Sequence, residues 1–354
     1  MGATARYAYL HGRTSVLAAR LFSPSQIQDL IRLPLGQETA LLQGAGIEGF
    51  QPGEPTESPR VREQGLITVL LDELAILARA LSGDERDFLL YWAYRFELGN
   101  LKTILRGKLN GQDANNIRDQ LIEMGPFARL PTENLLRTED VAELLRRLEG
   151  TPFADIARQA RRIFEERHES FALDAAMDRR YFAGLAKRAR AAESDAFGPL
   201  RALVGSIIDR VNLVWLLRYR FAYGLSPAET YYLLIPSTFR LGSRELLALS
   251  QLNSIEEIVA QLPAPFPGWL AGARSTSDVT HALERESWRL AGSVLRHGAF
   301  SLARTFAYAI LRERDLRRVR VAIKGKRLQV APELIQEAAG LEGQFRVSSS
   351  ESRV

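Results

Sequence analysis

Asp174 and Asp178 stand four residues apart, so on a helix they share one face. Carboxylates at that spacing could divide general-acid and general-base work. Arg179 and Arg180 follow at once, and ion pairing is the simpler use of the two acids. Four histidines, His11, His168, His281 and His297, show no ligand spacing, and there is no cysteine. A zinc site would therefore need carboxylates, and disulfide and thiolate chemistry are excluded. The histidines read as ordinary core or surface residues. No Gly-x4-Gly-Lys-Ser/Thr loop, no His-Glu-x-x-His and no Gly-x-Ser-x-Gly occurs. The expectation is a chain with no catalytic site, no bound metal and no cofactor.

The elements that would hold any site are helical. Apolar residues recur at a spacing of three to four almost everywhere, and no long alternating run appears. Hydrophobic residues make up 46% of 354 positions, enough for a sizeable core. The most apolar stretch, Leu66 to Leu81, is broken by Asp72, Glu73 and Arg79, so it is an amphipathic helix and not a membrane span. The first residues carry no signal-like apolar region. Breakers cluster at Gly44 to Pro59, Gly224 to Pro236 and Pro263 to Gly272, which read as loops. The serine-rich end, Gly343 to Val354, reads as a disordered tail.

Two different segments recur three times in the same order. The longer is Glu97 to Lys108, then Asp209 to Arg220, then Asp315 to Lys326, each copy roughly 110 residues after the last. The other begins at Leu21, Leu130 and Leu241. Each copy opens a short helix with a serine or threonine suited to an N-cap, followed by a second leucine-rich turn at Thr39, Val141 and Glu257. The expected organisation is three helical units, 1–120, 121–235 and 236–342, followed by the tail.

On the repeated helix, count from the acid as position zero, at about 100° per residue. Positions 4, 7 and 8 fall on one face and are apolar in all copies: Leu101, Ile104 and Leu105; Leu213, Leu216 and Leu217; Val319, Ala322 and Ile323. That face should pack on the core. Positions 0 and 11 are acid and base in every copy, about 16 Å apart along the axis. They cannot pair with each other and read as clamps at the rim of the core. Position 9 points the other way and is basic throughout: Arg106, Arg218 and Lys324. These three are candidate partner contacts. The third copy adds a basic run in which Arg317, Arg320, Lys324 and Arg327 share a face. Such a stripe suits an acidic protein surface, lipid head groups or phosphates.

The formal charge is +5, and only five of the 47 basic residues are lysine. The arginine excess leaves a helical-repeat protein that binds nucleic acid as one alternative. A charge of this size is too weak to favour it, and the aromatic-basic interleaving of stacking surfaces is missing. An enzyme of unrecognised type is the second alternative.

Several stretches carry a family resemblance. Tyr7 to Arg13 with Ala18 to Ser23 resembles the opening of the C subunit of the V/A-type ATPases, the relative of the eukaryotic d subunit. Phe96 to Lys108 is similar to the first long-helix segment of that family, and Met177 to Phe182 to a second characteristic stretch. Asp209 to Arg220, continuing through Gly224-Leu-Ser-Pro227 and Leu233 to Pro236, resembles a third. The resemblance spans about residues 7 to 340. Arg318 departs from it, standing where the other copies have Asn100 and Asn212, and the 44–59 loop is long.

The resemblance implies an all-α fold of three homologous helical domains in pseudo-threefold arrangement, shaped as a funnel or socket. It implies a non-catalytic central-stalk component of a rotary motor, peripheral on the cytoplasmic face of a membrane. Its implied partners are the D and F subunits of the shaft, the proteolipid ring and the membrane stator subunit, with no nucleic acid.

Overall fold

The computed structural model describes residues 3–48, 59–167, 170–193, 195, 198–237 and 239–341. His168, most of the 44–59 stretch and the 343–354 tail lie outside the described residues. The chain begins with α1 (Ala3–Ala18), α2 (Pro24–Arg32), α3 (Thr39–Gly44) and α4 (Pro59–Ala78). Next come α5 (Gly83–Leu109), α6 (Ala114–Arg118), a 3-10 turn at Gly125–Phe127, α7 (Thr132–Leu136) and α8 (Val141–Leu148). Then follow α9 (Ala154–Arg167), α10 (Ser170–Ala192), α11 (Pro199–Leu217), a π-helical turn at Arg218–Ala222, α12 (Pro227–Leu233), α13 (Ser243–Ser250) and α14 (Ile255–Gln261). The last are α15 (Phe266–Trp269), α16 (Thr276–His297), α17 (Leu302–Arg327) and α18 (Pro332–Ala338). Among the described residues there is no strand, as the periodicity requires, and no helix is long and apolar enough to cross a membrane.

Local chemistry sets these boundaries. Ser23 caps α2 in a reciprocal box with Gln26, and Pro24 takes the first turn, where its missing N–H costs nothing. Ser301 caps α17 by accepting from Arg304 N. In α5, Asp84 and Glu85 begin the helix and Arg106 and Lys108 end it, which suits the helix dipole. Two expectations are corrected. Thr132 and Ser243 are first helical residues, not caps; Pro131 and Gly242 hold the cap positions. The Pro263 to Gly272 stretch holds α15, and the Gly224 to Pro236 stretch likewise is not simply a loop. Ser226 and Glu229 form a capping box that starts α12 there.

The chain forms two compact units, one of residues 1–77 with 291–354, the other of residues 78–290. In the second, α11 packs Leu213, Leu216 and Leu217 with Leu246, Leu249 and Ile258. In the first, Leu10, Ile27, Leu30 and Phe306 are fully buried. Arg312 is buried with them. Its guanidinium makes bonds of 3.0 and 2.9 Å to the two oxygens of Glu73 and reaches Ala45 O at 2.8 Å. Tyr308 donates to the same carboxylate at 2.6 Å.

Close packing at the ends of α5 and α17 depends on glycine. A Cβ on Gly107 would stand 2.5 Å from Ile117 Cγ1, and one on Gly325 would stand 2.6 Å from Ile335 Cγ1. Gly107→Ala and Gly325→Ala should each cost about 1–3 kcal/mol through overpacking. Gly99, on α5 with open space around it, should instead stabilise by roughly 0.5–1 kcal/mol on replacement with alanine. Denaturant melts of the three variants check the contrast; equal effects at all three would refute the packing argument.

Candidate functional site

The three repeated helices make corresponding bonds at positions 0 and 11. Positions 4, 7 and 8 are buried in every copy, as their spacing requires. Position zero holds backbone N–H groups just before a short helix. Glu97 accepts from Leu130 N at 2.8 Å and from Arg129 N; Asp209 accepts from Leu241 N at 3.1 Å; Asp315 accepts from Phe22 N at 2.8 Å. Position 11 holds the carbonyls at the end of that short helix. Lys108 donates to Leu136 O and Thr138 O, Arg220 to Leu252 O, and Lys326 to Leu30 O and Leu33 O. A cation there satisfies carbonyls that the helix leaves without partners. Acid and base are thus clamps at the two ends of one segment, and they do not pair with each other.

Position 3 completes the set. Asn100 donates to Ile122 O and accepts from Ile122 N, both at 2.7 Å. Asn212 does the same with Ile235 at 2.9 and 2.8 Å. Arg318, which departs from the pattern in sequence, keeps half of this role by donating to Ala339 O at 3.0 Å. Burial and the neighbouring Arg314 push its guanidinium down to about 10.

Each long helix therefore clamps a segment outside itself, which in the first two copies is the one after it. For the third copy that segment is α2, at the start of the chain. The clamp joins residues 293 positions apart, against 32 and 33 in the other two copies. The third copy carries extra charge at the join. Arg314 donates to Asp315 Oδ1 at 2.8 and 3.0 Å, and Lys326 also pairs with Glu38.

The acids differ in electrostatics. Glu97 Oε2 and Asp209 Oδ2 are buried without a hydrogen-bond partner among the described residues. Burial raises the carboxyl of Glu97 and pushes Asp209 up to about 7, against the lowering effect of the backbone N–H groups it accepts from. The folded state thus favours the protonated form of Asp209. Its contribution to stability is full below about pH 4, the unfolded value. It is lost as pH rises through about 7, at about 1.4 kcal/mol per pH unit. Asp209→Asn removes the titration, so the stability gap between variant and wild type should change along this slope from pH 4 to 7. A gap independent of pH would contradict the protonated clamp.

Position 9 is exposed in every copy, at Arg106, Arg218 and Lys324. Arg106 reaches across to Asp174 on α10, with Nε 2.9 Å from Oδ2, and keeps 55% of its side chain in solvent. Arg218 lies in the π-helical turn near the Tyr223 hydroxyl. Of the further basic stripe, Arg320 is exposed and pairs with Glu63, while Arg317 and Arg327 are half-buried. The stripe is thus only partly a solvent-facing surface.

The paired carboxylates are ion-pair partners. Asp174 binds Arg106 and Asp178 binds Lys102, while Arg180 turns to Asp155 and Arg179 to Leu234 O. The partners come from α5 and not from the adjacent arginines, which periodicity along one helix cannot reveal. His11 stacks on Phe300 and His297 accompanies Ser293 O.

Known proteins resemble this chain along nearly its whole length. The family model described as ATP synthase (C/AC39) subunit matches residues 10–338. The C subunit of the A-type ATP synthase of Methanocaldococcus jannaschii is 25% identical over 345 residues, covering 94% of this chain and 86% of the relative. That of Thermococcus kodakarensis is 24% identical, covering 94% and 90%. That of Halobacterium salinarum is 24% identical, covering 94% and 97%.

Proposed function

The chain belongs to the ATP synthase (C/AC39) subunit family, and from that premise we propose that it is a non-catalytic central-stalk component of an A-type rotary ATP synthase. It couples the D and F subunits of the shaft to the membrane proteolipid ring, lies peripherally on the cytoplasmic face beside the membrane stator subunit, and handles no nucleotide itself. Its three clamped helices belong to three homologous units in pseudo-threefold arrangement, forming a socket. Arg106, Arg218 and Lys324 face the seated shaft or its rim, and Arg317, Arg320 and Arg327 extend that basic surface.

The observation that carries this reading is the threefold recurrence of one bonding scheme. Acid at position 0, Asn or Arg at position 3 and base at position 11 each hold backbone outside the helix, in the following segment for the first two copies and, for the acid and base of the third, at the start of the chain. Clamps on backbone keep rigid helices from slipping under load, and a repeated scheme carries the exposed cation at position 9 in equivalent places. Torque transmission needs both properties and no proton or phosphate chemistry.

A pull-down tests the role. Membranes containing the proteolipid ring should retain the purified D and F pair only when this chain is added. Equal retention with and without it would refute the coupling function.

A further inference from the structure

The second of the repeated helices ends unlike the other two. In the first and third, the chain leaves through an ordinary helical turn: Asn110 N donates to Arg106 O and Leu328 N to Lys324 O, both at 3.0 Å. In the second, Tyr223 N donates to Arg218 O at 2.9 Å, across the π-helical turn. The wider turn brings Tyr223 back beside Arg218. Its hydroxyl lies 3.4 Å from Arg218 Nη2, and the guanidinium carbon lies 6.0 Å from the centre of its ring. At the matching position 14 the other copies hold Gly111 and Gln329.

Tyr223 belongs to a continuous patch within the second unit. Its ring lies 4.6 Å from that of Phe171, near the start of α10. Asp174, one turn further along α10, pairs with Arg106. The patch thus joins two of the position-9 cations, Arg106 and Arg218, through an aromatic pair. Tyr223 is 48% exposed, and its neighbour Phe221 is 38% exposed. Arg218 is exposed and meets no carboxylate among the described residues. An exposed tyrosine between arginines has the composition of the energetic centre of a protein interface. The ring fits an apolar side chain, and the guanidinium groups on either side fit carboxylates. Single π turns are frequent at functional sites, and this one sets an aromatic ring at the surface in one copy of three.

We propose that this patch is a key for the shaft. It seats an apolar side chain flanked by carboxylates on the D and F pair, and because only the second copy has it, it selects one of three otherwise alike orientations. The inference rests on the coupling role and pseudo-threefold arrangement proposed above, in which the position-9 cations alone offer the shaft three similar seats. An anchor that tightens one seat about tenfold makes that orientation about ten times as populated as either of the others.

The test uses the full chain bound to the D and F pair. A spin label at Arg146→Cys, which is exposed and remote in sequence from the patch, is paired with one on a single cysteine of the shaft, and the distribution of distances reports orientation. The otherwise unaltered chain should give one dominant distance. Tyr223→Ser should spread it into comparable populations and weaken shaft binding at least about tenfold. The salt dependence of binding should stay as it was, because no charge is removed. Tyr223→Phe keeps the ring and should keep the single distance. Comparable populations with Tyr223 in place, or a Tyr223→Ser variant that retains both affinity and the single distance, would overturn the key and leave the coupling role standing. A chain that binds no shaft would remove both. Should Tyr223→Ser fail to fold, the distribution with Tyr223 in place decides by itself.

Discussion

Replacing Arg312 with methionine is expected to destabilise the unit built from the two chain ends by about 3–5 kcal/mol, the usual cost of stranding one member of a buried ion pair. The guanidinium is fully buried, and Glu73 is 8% exposed at its side chain. Without Arg312, the Glu73 carboxylate keeps the bond from the Tyr308 hydroxyl and loses both from the guanidinium, in surroundings of low polarity. It must then ionise without compensation or take up a proton. Replacing Glu73 by leucine, Arg312 by methionine and Tyr308 by phenylalanine together should recover most of the loss, because no charge is then left behind. Denaturant melts separate these outcomes. A single Arg312→Met variant as stable as wild type would mean that the pair contributes nothing to the join.

The second large effect concerns the exposed cations. Arg106→Glu, Arg218→Glu and Lys324→Glu combined should weaken binding of the D and F shaft pair by at least about a hundredfold. Three exposed contacts are lost and each is turned into a repulsion. The wild-type affinity should fall with added salt, and the triple variant should lose most of that dependence. Surface changes of this kind leave melting within about 0.5 kcal/mol. The first of the three adds a local term, because a glutamate replacing Arg106 would face Asp174. A variant with Arg106→Gln in its place should therefore bind between the two extremes. Unchanged binding and unchanged salt dependence would remove position 9 from the interface.

Much of the fold is legible in the sequence because helices print their packing directly. The apolar stripe of Leu101, Ile104 and Leu105 and its two counterparts is buried as spacing demands. The distance of about 16 Å between acid and base on one helix already rules out their pairing, so the clamp reading follows from geometry. What each clamp holds is not legible. Periodicity fixes which way a side chain faces and says nothing of which distant backbone arrives there. The segments at Leu21, Leu130 and Leu241 precede the long helices by a nearly constant interval, which suggests that each begins its own unit. The hydrogen bonds instead run from each helix to the segment after it, and from the last helix back to Phe22.

That wrap-around has an energetic consequence. Closing 293 residues and not about 33 costs roughly 2 kcal/mol more in chain entropy. Arg314 on Asp315 and Glu38 on Lys326 supply added bonds at the join that costs most. The π-helical turn at Arg218–Ala222 is equally hidden, since it adds one residue without altering the apolar stripe before it.

The central claim is that three equivalent helices present their exposed cations to one central shaft. The absence of cysteine gives a clean background for testing it. Arg106→Cys, Arg218→Cys and Lys324→Cys, each alone, can be probed for thiol alkylation with and without the purified D and F pair. The account predicts that one equivalent of the pair slows alkylation at all three positions together, and that a control at the remote, exposed Arg146 is unaffected. Protection at none of the three, or at one while the other two react at their free rates, would contradict it.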